Sequence, residues 1–210
     1  TLKEIIKRLH GGADPESVKE QFGDLLAEVG VSEIAAMENS LMSDGMPQEE
    51  IQRMCDVHAA VLGGAAPHGP TEAPGGHPVH TFRLENDRIR ELVVAYRSAA
   101  ESVASGNRSS GFDGWRAAHG ALAGVEVHYQ RKEYLVFPFL EKAGSAGPPK
   151  VMGGVHDEIR EKISAAGEVL EHAGDLEGEA LQLTVETVVA PMLEQVSSMT
   201  DKEDRILWPM

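Results

Sequence analysis

Two stretches of this chain repeat one another at a distance of 71 residues, and that echo limits the fold more than any other feature. His128, Glu133 and Pro138 fall in step with Met199, Asp204 and Pro209, and Leu135-Val136-Phe137 answers Ile206-Leu207-Trp208. A second echo, at 70 residues, sets Asn86-Asp87-Arg88-Ile89-Arg90-Glu91 against His156-Asp157-Glu158-Ile159-Arg160-Glu161. Residues from about 80 to 210 therefore read as one helical hairpin written twice, and two hairpins make an all-α, up-down four-helix bundle. Helices are expected at roughly 78–104, 112–142, 150–173 and 177–207, separated by turns such as Ser105-Gly106-Asn107 and Gly144-Ser145-Ala146-Gly147-Pro148-Pro149. Connections that short predict antiparallel neighbours.

Ahead of the bundle the apolar residues also follow helical spacing. Leu2, Ile5, Ile6 and Leu9 form one short face, stopped by Gly11-Gly12, and Val18, Phe22, Leu25, Leu26 and Val29 form another. Ile34, Met37 and Leu41 belong to a third helix, and Ile51, Met54, Cys55, His58, Val61 and Leu62 to a fourth that Pro47 opens. Residues 1–62 thus read as a small helical domain, and the Gly- and Pro-rich run from Gly63 to Gly76 as a linker that cannot hold a helix. The bundle would occupy 77–210.

Charge narrows the partners. With 34 acidic and 19 basic residues the formal charge is -15, which repels nucleic-acid phosphates and anionic membrane surfaces and suits either solvated helix faces or cation binding. A single cysteine, Cys55, excludes an internal disulfide. Neither a membrane-spanning apolar run nor a signal peptide is visible, so the expected location is cytoplasmic, and the first residue, Thr1, points to a trimmed chain.

The candidate chemistry lies in His128-Tyr129-Gln130-Arg131-Lys132-Glu133-Tyr134-Leu135-Val136-Phe137-Pro138. An imidazole and a carboxylate five positions apart are offset by roughly 140° on an ideal helix, so a local widening of the helix would help them converge. Burying such groups in a bundle is costly unless they are paired or bind a metal. The repeat puts Glu133 and Asp204 on corresponding inner positions of two helices. Imidazole and bridging carboxylates suit transition metals, and the scarcity of cysteine favours iron over zinc.

The segment from His128 through Glu133 to Lys142, together with Val155-His156-Asp157-Glu158-Ile159-Arg160 and Lys202-Glu203-Asp204-Arg205-Ile206-Leu207-Trp208-Pro209-Met210, resembles the hemerythrin-like, HHE cation-binding bundles. With Gly76-His77-Pro78-Val79-His80-Thr81-Phe82 and the module ending in Cys55-Asp56-Val57-His58, the chain is similar to the subfamily in which a short helical domain precedes that bundle. The resemblance implies a non-haem di-iron centre that binds O2, or reacts with O2, peroxide or nitric oxide. Three of the family's ligand positions are altered here, falling on Asn86, Met152 and Met199.

Carried over by position, the pattern leaves His128, Glu133, His156 and Asp204, with Glu203 as rival to Asp204. His77, His80 and Glu85 of the first bundle helix, and His58 or Cys55 of the N-terminal module, are the candidates to complete a site for one or two ions. Two methionines facing a pocket keep a haem-binding version open. The functional expectation is a binder or sensor of a small ligand, with a di-iron oxidase or peroxidase as the enzymatic version. The alternative is a metal- or haem-responsive regulatory module that signals through its N-terminal helices to an unidentified signalling or redox protein.

Overall fold

The structure is a computed structural model that describes residues 40, 41, 45–47 and 73–209. The four helices expected within 1–62, with Cys55 and His58 among them, lie outside the described residues apart from a few positions. Among the described residues every regular element is helical and none is a strand.

The first long helix, α1, runs Pro78–Ala104. His77 caps it, its Nδ1 accepting from the Val79 N–H at 3.2 Å, and Pro78 occupies the first turn, where its missing donor costs nothing. Its buried residues, Phe82, Asn86, Ile89, Val93, Tyr96, Ala100 and Val103, alternate steps of four and three, which is one continuous stripe. Gly106, at φ +108°, takes the left-handed turn that follows.

The second helix comprises α2 (Arg108–Ala123), α3 (Val125–Arg131), a π-helical turn Lys132–Val136 and α4 (Phe137–Lys142). The third is α5 (Gly147–His172), closed by a 3-10 turn Ala173–Asp175. The fourth comprises α6 (Gly178–Thr184), a π turn Val185–Val189, α7 (Ala190–Lys202) and a last π turn Glu203–Leu207. The second helix starts four residues before the expected 112, and the third starts at Gly147 because Pro148 and Pro149 are compatible with a first turn.

All three π turns share a cause visible in the sequence. Each ends two residues before a proline, at Pro138, Pro191 and Pro209. A proline inside a helix lacks the N–H and crowds the carbonyl four residues earlier, so the turn ahead of it widens. The widening expected after His128 is present and recurs 71 residues on, at Glu203–Leu207, as the internal repeat requires.

Contacts divide the chain into two compact units. One consists of Gly76–Leu135 and Gly153–Thr200. Within it α1 packs against α2 and α3 on one side and against α6 and the Val185–Val189 turn on the other. α5 is tied to α3 by Arg160 and Glu126, and to α7 by Gln195 and Glu158, so each long helix has two neighbours, the arrangement of an up-down bundle. Tyr96, Trp115, Leu122, Ile159, Leu181, Met192 and Leu193 fill its interior. Arg108 closes one end by donating to the backbone carbonyls of Gly174 and Leu176 at 3.0 and 2.5 Å. Among the described residues the other unit includes 136–152 and 201–209, in which Phe137, Val151, Met152, Glu203, Ile206 and Leu207 are buried.

A candidate metal centre built on two carboxylate-held histidines

α3 ends in the sequence that carries the chemistry. His128 and Lys132 are four residues apart, so both project from one face, just before the helix widens. Both are buried, and Lys132 is fully so. Glu133, one position further round, is only half-buried, and Tyr134 and Leu135 are exposed.

Each buried imidazole is held at Nδ1 by a carboxylate from a neighbouring helix. His128 Nδ1 donates to Glu85 of α1 at 2.7 Å, and Arg131 also reaches that carboxylate. His156 of α5 donates from Nδ1 to Glu133 at 2.7 Å. Arg160, one turn along α5, donates to both oxygens of Glu133, at 3.0 and 3.1 Å, and to Glu126 at 2.7 Å. Phe82 meets the edge of His128 with ring centroids 5.4 Å apart, and Tyr129 stacks flat on His156 at 4.2 Å and 8°.

The other nitrogen of His156 is also taken. Lys132 Nζ lies 2.9 Å from Nε2, and 4.5 Å from the centroid of the Tyr129 ring. These partners fix the tautomer: a carboxylate only accepts and an ammonium only donates, so the proton sits on Nδ1 and the Nε2 lone pair receives Lys132. Burial pushes the His156 pKa far below the ordinary imidazole range, and the positive charges of Lys132 and Arg160 and the neighbouring His128 add to the effect. His156 is therefore a neutral imidazole. Burial also works against the charge on Arg160, but its hydrogen bonds to Glu126, Asp157 and Glu133 outweigh that and raise its pKa.

The remaining expected ligands lie on other segments. His77 is exposed and spends Nδ1 on its own helix cap, and His80 is half-buried on the first turn of α1. Glu203 and Asp204 sit at the start of the last π turn, in the other unit, where Glu203 is fully buried and Asp204 is half-buried. The inner positions expected for Glu133 and Asp204 thus belong, by burial, to Lys132 and Glu203. The reason is spacing: Lys132 and Glu203 each follow their helix partner, His128 or Met199, by four residues, the same-face interval. Asn86, Met152 and Met199 are buried, as packed interior residues are. Among the described residues, no group of three or more His, Cys, Asp or Glu side chains is gathered so as to hold an ion. Cys55 and His58 lie outside the described residues.

Comparison with known families settles the class. A model of the Hemerythrin HHE cation binding domain matches residues 77–210, well over half of the chain. The chain belongs to that family. A second model, of a family of unknown function (DUF438), matches residues 2–67, so the HHE domain is preceded by a separately defined module. A search of curated proteins finds no match. Membership in a cation-binding family supports a metal-binding function for this HHE domain, and among the described residues no helix is long and apolar enough to cross a membrane.

The described donors do not fit the two-metal centre that the resemblance implies. Glu133 faces the Nδ1 side of His156 and is clasped by Arg160, so it orients the ring and is turned away from the Nε2 lone pair. A cation already stands on that lone pair. Lys132, Arg160, Tyr129 and Glu126 were not among the residues picked out in the sequence. The four-residue step from His128 marks Lys132, but Glu133 competed for the same role, and no local pattern announces a contact from another helix.

Proposed function

We propose that this HHE bundle is a metal-responsive module that takes one transition-metal ion at the His156 imidazole, with His128 beside it, and takes it conditionally instead of holding a permanent pair. The observation that carries the reading is the pair of buried histidines each anchored at Nδ1 by a carboxylate, Glu85 or Glu133. That pairing holds an imidazole in the tautomer that offers Nε2 to a metal. Imidazole nitrogen suits a transition metal, and non-haem iron is the ion that the family resemblance implies. Iron bound there would supply a redox-active centre for O2, nitric oxide or peroxide. The chain's own contribution is to hold the two rings, exclude water with Phe82 and Tyr129, and keep His156 neutral.

We assign 77–210 to this bundle, 1–62 to a receiving helical domain and 63–76 to the linker between them. The regulatory version is favoured over an oxidase or peroxidase because the cation on Nε2 opposes a permanently loaded site. Titration of the metal-free protein with cobalt(II), read by its visible ligand-field bands, should show one ion bound per chain. His156→Ala should abolish the bands and His128→Ala weaken them. Unchanged binding in His156→Ala would overturn the assignment.

A further inference from the structure

We infer that Lys132 is a built-in competitor for the metal: its ammonium occupies the ligating nitrogen of His156 and must leave before an ion can bind. The inference rests on the metal-responsive reading above. A ring-nitrogen lone pair serves one partner, and that of His156 already receives Lys132 Nζ at 2.9 Å. The lysine is fully buried and lies against the Tyr129 ring, which itself stacks on His156, so the ammonium sits in a formed slot. Arg160 stands on the far side of the same imidazole through Glu133. A divalent ion entering with Lys132 in place would meet its ammonium at the nitrogen the ion must ligate. Like charges at such separations in a low-dielectric interior repel strongly, so ion and lysine exclude each other.

This makes Lys132 a positioning and affinity-setting residue. Its presence lowers the affinity for metal by the strength of the hydrogen bond that must be broken, and replacing it with an uncharged side chain of similar length removes the competitor while keeping the volume.

The test compares cobalt(II) affinity of the parent with that of Lys132→Met and Lys132→Gln, at one pH, with far-ultraviolet circular dichroism as the check on folding. Both variants should bind about tenfold tighter or better, the effect of releasing a charged hydrogen bond. Equal affinity in parent and folded variants overturns the competition while leaving the metal-binding function standing. Binding by the variants alone supports the competition and overturns metal binding by the parent. No binding by any of the three overturns both.

A measurement on the parent guards against variants that do not fold. With lysine labelled in nitrogen-15, the metal-free protein should show a slowly exchanging ammonium signal assigned to Lys132 by its contact with the Tyr129 ring, and zinc(II) should abolish it. A metal-free spectrum without that signal, or a signal that survives zinc saturation, overturns the proposal.

Discussion

His156 has each ring nitrogen committed to a partner of opposite character, an anion at Nδ1 and a cation at Nε2. Glu133→Ala would leave the Nδ1 proton unsatisfied inside the bundle and deprive Arg160 of one acceptor. The expected loss is about 1–3 kcal/mol in urea unfolding, with Glu133→Gln closer to the parent because its amide oxygen still accepts. A half-buried imidazole behaves differently. His119 of α2 meets the Tyr96 hydroxyl at 3.2 Å, and burial lowers its pKa from 6.5. The neutral form is thus favoured in the folded chain, and its contribution is complete above the unfolded value and is lost as pH falls below it. The urea midpoint should drop between about pH 7 and pH 5, and His119→Gln should reduce that drop. His128, from its spacing to Glu133, and His156, from the family resemblance, were picked out as metal ligands, and both lie in the interior. Glu85 as the partner of His128 was not legible, because 43 residues and a helix-helix contact separate them.

At the level of the helix, glycine separates propensity from packing. Gly153 and Gly167 both lie in α5, but a Cβ at Gly153 would meet open space, whereas one at Gly167 would stand 2.9 Å from His119 Nε2. Gly153→Ala should stabilise the protein by about 0.5–1 kcal/mol, the propensity difference. Gly167→Ala should lose more than it gains, about 1 kcal/mol or more net, because the ring of His119 must shift. Melting temperatures of the two variants moving in opposite directions would bear this out; a rise in both would show that α2 and α5 are not packed as described. The span of α1 and the repeat linking the second and fourth helices could be read from apolar stripes and turn residues. The π turn Val185–Val189 was not, although Pro191 marks it by the rule that Pro138 and Pro209 obey. Pro138 and Pro191 fall inside the expected helices 112–142 and 177–207, and Pro209 follows the end of the last one.

Across the whole molecule the formal charge of -15 pushes helices apart. Exposed pairs such as Arg88 with Glu91 and Arg116 with Asp113 offset little of that, since solvent screens them. Raising ionic strength from about 10 to 150 mM should therefore raise the melting temperature, and a fall would show that the surface pairs outweigh the repulsion. Metal should add to stability by mass action, about 2.7 kcal/mol at a free concentration one hundred times the dissociation constant, and at a fixed concentration more in Lys132→Met than in the parent.

The clasp of Lys132 on His156 also bears on how the chain is made. A polypeptide that supplies its own positive charge to a buried imidazole can collapse and persist as a finished bundle before any ion reaches it. On the metal-responsive reading proposed above, maturation is then uncoupled from metal delivery, and loading becomes a later event.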